Sequence, residues 1–535
     1  MDSEACCPRF DRLYVISDLH IGGGKEDMQI FTSSKLLAAF IRSLIPPAAQ
    51  TAGGGPPDRL PPPSAQDRVA LVMNGDVVDF LAEDPPTYLD IEGAVRKLRG
   101  VVERRGTNHG DSFCDVFAAM RDFLEAPNRH LVLVLGNHDL ELALPHAQDW
   151  LSQWLTQGED AARGRLTFAT DGSGYRCDVG SSSVLCVHGE VADRWNAVDH
   201  HSLRAISHVL KAGKTPPAWH PNAGTKLVRD VMNDIKREYP FVDLLKPEIE
   251  ALLPILKTLN AATFARLTGA VSALEELVAT TKDRREQFLT MDKRVQSPKA
   301  EELLPIAALQ LLHMDGVPEM SAAEQAEVDA KAGLNPMDLA RQETTANQLL
   351  LWQDACRRLA AAPGSFYQRH IQGKTEAQML LECLRTMLKK DETFNIYSED
   401  EPFAWTKNNV SDSINFVVAG HTHLERCIFR PHGAYFNSGT WANLIKLDPD
   451  LFKKAPNEEA RKKQEADFTK IFLDLQQRKT IKDLQYAKVA SPVPTVVVIA
   501  TESPSGPARG ALYQAKLSPD DFHLQHTPNT TFSAR

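Results

Sequence analysis

The sequence predicts an α/β fold built on a mostly parallel sheet, from three observations. Short apolar runs of strand length recur along the chain, as in Val69–Met73. Stretches with apolar residues at helical spacing lie between them. The runs end abruptly in Asp, Asn or His, and in an open α/β sheet chemistry gathers at the carboxyl ends of strands. Val15-Ile16-Ser17 leads into Asp18-Leu19-His20, and Val69–Met73 into Asn74-Gly75-Asp76 with Asp79 three residues on. Leu131–Leu135 leads into Gly136-Asn137-His138-Asp139, Val184–Val187 into His188-Gly189-Glu190, and Phe416–Ala419 into Gly420-His421-Thr422-His423. Each motif alone also resembles a tight turn. Five of them in this order, each behind an apolar strand, describe one polar cluster instead.

Taken in order, the first strand end is followed by Gly22-Gly23-Gly24 and a helix carrying Leu37, Phe40, Ile41 and Leu44 on one face. Pro46–Gln66 is too rich in proline and glycine for a helix or a central strand and reads as a mobile surface loop. Phe113, Val116, Phe117, Met120 and Leu124 mark a second helix before the Leu131 strand. Arg165–Thr170, Tyr175–Val179 and Ser183–Val187 read as short strands in an antiparallel continuation. From about residue 195 strand signals nearly vanish. Leu252, Ile255, Leu256 and Leu259 share a helical face, as do Phe264, Leu267, Val271 and Leu274. Two further stripes follow, Leu349, Trp352, Cys356 and Leu359, then Leu380, Cys383, Leu384 and Met387. Strand texture returns at Ile414, Arg426–Phe429 and Ala434–Asn437. A helix with Phe468, Ile471, Phe472 and Leu475 on its apolar side interrupts it, before two last strands at Thr495–Ala500 and Ala511–Leu517 and a polar, frayed tail after Phe522. The expected domains are a core in two parts, 10–195 and 413–520, a helical domain inserted at 196–412, and a smaller helical insertion near 455–488.

At 535 residues the chain can bury a large core, and a formal net charge of −10 argues against a general nucleic-acid binder. Its eight cysteines lack CxxC spacing, the N-terminus carries no export signal, and no apolar run is long enough to span a bilayer. These features predict a cytoplasmic protein without a transmembrane segment. Cys186 and Cys427 read as small core residues, and His200-His201 as an exposed helix start. Lys25, after the glycines, and the mixed run Lys282–Glu286 read as solvated side chains.

Asp, His and Asn donors without thiolate suit hard to borderline ions: manganese first, then iron, zinc, cobalt or magnesium. A carboxylate can bridge two such ions, and Asp76, central among the strands, is the natural bridge. A two-ion centre would hold a phosphoryl oxygen and make hydroxide available near neutral pH from a bridging water.

Together DLH (18–20), GDVVD (75–79), GNHD (136–139), HGE (188–190) and GHTH (420–423) resemble the motif series of the calcineurin-like metallophosphoesterases, over roughly residues 10–195 and 411–520. The resemblance implies a two-sheet sandwich flanked by helices, with two divalent metal ions. Asp18, His20, Asp76 and His423 would hold one ion, and Asp76, Asn137, His188 and His421 the other. His138 would act on the leaving group or a phosphoryl oxygen, with Asp79 orienting it. ISDLHIG, GDVVDFL and FNSGTW (436–441) are similar to the branch containing the UDP-2,3-diacylglucosamine pyrophosphatases. Phe80 stands where many protein phosphatases carry arginine, and His138 where the UDP-2,3-diacylglucosamine pyrophosphatases usually do. The expected activity is hydrolysis of a phosphodiester or pyrophosphate, on a phosphorylated small-molecule or nucleotide-linked substrate. A phosphomonoesterase, a nuclease and a non-catalytic scaffold are the alternatives. Both junctions of the insert are expected near the metal-bearing edge, where a helical body can serve as a lid.

Overall fold

The computed structural model describes residues 7–24, 29–46, 60–106, 112–193, 196–219, 221–222, 225, 233–246, 248–259, 374–388, 391–447, 449–453, 455–477, 480–518 and 522–534. Two sheets stack face to face. In the first, Arg12–Ile16, Val69–Asn74, Arg129–Val134 and Leu166–Ala169 run parallel, and Thr495–Thr501, Ala508–Leu517 and Phe522–His526 extend the Arg12 edge antiparallel. In the second, Ser182–Cys186, Phe416–Ala419 and Gly433–Ser438 are parallel neighbours, with Tyr175–Val179 and Glu425–Arg430 antiparallel outside them.

The continuous apolar runs follow from this stacking, because the strands are covered on both faces. Leu13, Val15, Ala70, Val72, Val132 and Val134 pack with Cys186, Phe416 and Phe436 of the other sheet. The alternate residues, among them Tyr14, Ile16, Leu71 and Leu131, pack under helices Ser34–Ser43, Phe113–Glu125 and Pro145–Thr156. On the far side, Phe403 of helix Glu401–Asn409 packs with Val187, Val417 and Tyr435 of the second sheet. The result is an α/β sandwich of two sheets flanked by helices.

Two sequence expectations need correction. Leu166–Ala169 continues the first sheet in parallel rather than opening an antiparallel run. Only Tyr175–Val179 and Ser182–Cys186 form the antiparallel hairpin. The tail is not frayed either. Phe522–His526 and Phe532–Ser533 both pair with Ala508–Leu517, and Thr530, fully buried, accepts the Leu512 N–H at 3.1 Å. Thr530 also donates to Thr527 O at 2.7 Å, and His526 Nε2 lies 2.9 Å from Thr531 Oγ1, so polarity alone misleads there.

Of the inserted stretch, helix His200–Lys211 sends Leu203 and Ile206 into the core beneath the first sheet. Helices Glu248–Leu259 and Glu376–Met387 meet Phe468, Phe472 and Leu475 of helix Glu458–Gln476 in a separate apolar cluster. The small sheet of Leu245–Lys246, Asn443–Lys446 and Ser491–Pro492 ties this cluster to the chain after the last polar motif. The helical body is thus assembled from both sides of the second sheet's sequence. The stripes at 264–274 and 349–359, Lys25, the Lys282 run and residues 47–59 of the proline-rich loop lie outside the described residues.

Candidate metal centre

All nine residues singled out in the sequence meet at one edge of the sandwich, beyond the carboxyl ends of the parallel strands. Asp18, His20 and His423 offer ligand atoms within 4.8 Å of one another, and so do Asp76, His188 and His421. Asp76 Oδ2 lies between the groups, 3.7 Å from His20 Nε2 and 3.3 Å from His188 Nε2. Asn137 Oδ1 is 3.3 Å from His188 Nε2, and His423 Nε2 is 3.0 Å from His20 Nε2 and 3.4 Å from Asp18 Oδ1. Neighbouring ligand atoms about a single ion with bonds of ~2.1 Å stand roughly 3–3.5 Å apart, so this spacing suits coordination. His138 Nδ1 is 3.2 Å from Asp79 Oδ1, and Asp79 Oδ2 is 3.6 Å from His20 Nδ1.

The backbone is bent to make this convergence. Asp18, His20, Asp76, His421 and His423 all have φ between 48° and 70°. That left-handed region is costly for residues with a Cβ, and five such turns at one edge are strain held by the surrounding structure. Part of the hold comes from FNSGTW. Asn437 Nδ2 donates to Gly420 O at 2.8 Å, Thr440 Oγ1 to Asp18 O at 2.7 Å, and Ser438 Oγ to Ala419 O at 3.1 Å. Ser17 Oγ donates to Asp18 Oδ2, and the His421 N–H to the same oxygen at 2.9 Å. The glycines are required by close approach. A Cβ on Gly75, whose φ is +90°, would collide with the His188 ring, and one on Gly136 with the Asp76 carboxylate.

Partners one step out orient the ligand atoms. Nδ1 of His188 donates to Asn74 O at 2.9 Å, which leaves Nε2 as the lone-pair nitrogen facing Asp76 and Asn137. His421 Nε2 is 3.1 Å from Asp193 Oδ2. Asp139 accepts the N–H groups of Val77 and Gly136, each at 2.7 Å, and so clamps the Asp76 and Asn137 loops together. The sequence reading missed Asp139, Asp193 and Asn74 in these roles, although each stands inside or beside a motif. His200 is half-buried at its helix start, 2.8 Å from Glu190 Oε1, rather than exposed, whereas His201 does face solvent.

The electrostatics fit a cation. Burial would raise Asp76, but His188, His138 and His20 hold it well below the usual carboxylate range. Asp79 is likewise held down, against its burial, by His138 and His20. Burial would lower His138, yet Asp76 and Asp79 outweigh it and push the imidazole up to about 9. Asp76 and Asp79 are thus held as anions beside His138, whereas burial, Lys246 and His20 push His423 well below the usual histidine range and so favour a neutral, lone-pair ring there. His20 Nδ1 is buried without a hydrogen-bond partner. Imidazole and oxygen donors, all short of thiolate, complete the fit to divalent ions.

Residues 11–244 match the family model of the calcineurin-like phosphoesterases. The chain carries a calcineurin-like phosphoesterase domain. With it, the protein is a metal-dependent phosphoric ester hydrolase. No curated protein matches the chain. The matched segment ends before His421 and His423; the second sheet brings these two into the phosphoesterase site, through Phe416–Ala419 beside Ser182–Cys186. Among the described residues, no helix is long and apolar enough to cross a membrane.

Proposed function

We propose that the chain hydrolyses a phosphodiester or pyrophosphate bond at a centre of two divalent ions, manganese foremost. Asp18, His20, Asp76 and His423 would hold one ion, and Asp76, Asn137, His188 and His421 the other. The observation that carries this reading is the position of Asp76 Oδ2, within 3.7 Å of the ring nitrogens of both His20 and His188. Two ions bound there polarise a phosphoryl oxygen and ease deprotonation of water at neutral pH.

The side chains around them do the remaining work. The His138 backbone N–H donates to Asp76 Oδ1 at 2.8 Å, so the residue is fixed to the centre through its main chain and keeps its ring for the substrate. With Nδ1 on Asp79, Nε2 is the nitrogen that meets the leaving oxygen, as proton donor or as a positive charge beside it. Asn233, Lys236, Pro240 and Asp243 of the helical body line a narrow cleft together with His138 and Asp79, which brings that body beside the centre. The likeness of ISDLHIG, GDVVDFL and FNSGTW to the UDP-2,3-diacylglucosamine pyrophosphatase branch makes nucleotide-linked pyrophosphates the first class to test. Free thiols at Cys7, Cys114, Cys177, Cys186, Cys383 and Cys427 support a reducing compartment such as the cytoplasm.

The test is hydrolysis of a panel of phosphomonoesters, phosphodiesters and nucleotide-linked pyrophosphates by the manganese-loaded protein. The account expects turnover of the second or third class to exceed that of the first. Faster turnover of monoesters would replace it with a phosphomonoesterase.

A further inference from the structure

The last helix of the inserted stretch, Glu401–Asn409, begins against two loops that carry ligands. Gly189, next to His188, has a φ of +114°, and a Cβ there would stand 3.0 Å from Pro402 Cγ. One residue earlier, Asp400 caps the helix. Its Oδ1 accepts the Phe403 N–H at 2.9 Å, as an N-cap does, and the Tyr435 hydroxyl at 2.8 Å. A cap needs only that one oxygen. The other, Oδ2, accepts Asn437 Nδ2 at 3.1 Å.

Asn437 is fully buried, and the Gly439 N–H donates to its Oδ1 at 3.0 Å, which fixes the amide's orientation. The amide nitrogen then has three oxygens in reach: Asp400 Oδ2, Gly420 O at 2.8 Å and Thr422 Oγ1 at 3.0 Å. Gly420 O also accepts the Thr422 N–H at 2.8 Å, within the turn where His421 and His423 take φ values of 70° and 62°. Backbone in that region keeps its shape only while its surroundings hold it. Gly420 and Thr422 belong to the turn themselves. Asp400 is the one acceptor anchored outside it, and a carboxylate is the strongest acceptor of the three. We propose that Asp400 is a positioning residue for the metal centre: through Asn437 it fixes the turn that presents His421 and His423. The proposal rests on the two-ion reading above, and it ties the return of the inserted stretch to the ligands.

The experiment titrates manganese into the wild type, Asp400→Asn and Tyr435→Phe by calorimetry, with Tm measured on each. In Asp400→Asn the amide oxygen can still cap the helix and accept from Tyr435. Its NH2 then faces the Asn437 NH2, donor against donor, and the link is lost. Manganese affinity should fall about 10-fold, the low end for an outer-shell partner because the effect passes through Asn437. Hydrolysis should need correspondingly more manganese and recover at saturation. Tyr435→Phe removes a hydrogen bond to the same carboxylate without touching the turn, so it should lower Tm and keep the wild-type manganese affinity. If Asp400→Asn does not fold, Asp400→Ser takes its place, since serine caps a helix but is too short to reach Asn437. Wild-type affinity in the folded Asp400 variant, an equal loss of affinity in Tyr435→Phe, or failure of both Asp400 variants to fold would make Asp400 a structural cap and overturn the proposal. A wild type that binds no manganese defeats the parent reading, and the proposal with it.

Discussion

Removing the His138 ring would separate proton work from metal binding, because in the proposed reading the two fall to different parts of that residue. The backbone N–H of His138 holds Asp76 Oδ1 at 2.8 Å and survives in His138→Ala. The ring contacts Asp79 Oδ1 through Nδ1 at 3.2 Å, and Asp79 is held as an anion. His138→Ala should therefore keep its metal and slow turnover by roughly 10²–10⁴, the usual contribution of a positioned acid, or about 3–5 kcal/mol of barrier. Asp79→Asn should cost less. It keeps the ring but removes a charged acceptor worth ~1.5–3 kcal/mol, about 10- to 150-fold. The assay is kcat across a series of phosphodiesters graded by leaving-group acidity, with metal content measured on the same samples. If the ring protonates the leaving oxygen, the deficit shrinks steadily as the leaving group becomes more acidic. A deficit independent of leaving group would refute proton donation and leave electrostatic stabilisation. Loss of metal in His138→Ala would refute the division itself.

Two further predictions concern the frame around the centre. Gly75→Ala places a methyl against the His188 ring at a φ of +90°, so it should weaken metal binding by about 10- to 100-fold, as loss of an orienting partner does. Titration calorimetry with manganese reads this, and wild-type affinity would contradict the close approach. His130, at the edge of the core, is held down to about 4 by burial and by Arg68 and Arg165, against an ordinary 6.5. Between these values the unfolded chain binds the extra proton, so the stability His130 contributes is whole above about 6.5 and is lost as pH falls toward about 4. Urea midpoints across that window should fall less steeply in His130→Gln than in the wild type, and equal slopes would reject the assignment.

The sandwich and the centre were legible in the sequence because their causes are local. Apolar runs covered on both faces read as such in one dimension, and a ligand at the end of a strand announces itself by the strand before it. What was not legible depends on distant pairing. Leu166–Ala169 looks like any short strand, and only its partner, Arg129–Val134, makes it parallel. Helix Glu458–Gln476 showed its apolar face, but not that this face is shared with Glu248–Leu259 and Glu376–Met387. Asp139 and Asp193 were visible as residues, yet their roles are hydrogen bonds across loops, which spacing does not encode.

The central claim is that one carboxylate joins two ion sites, and metal content of Asp76→Asn tests it most directly. Asp76 is buried and central, and a neutral amide there removes the charge and one shared ligand oxygen together. Elemental analysis of the purified wild type should find about two divalent ions per chain, as a bridged centre requires. The variant, still folded by circular dichroism, should hold fewer than half of them and lose nearly all hydrolysis. Two ions retained at full occupancy in Asp76→Asn would contradict the account.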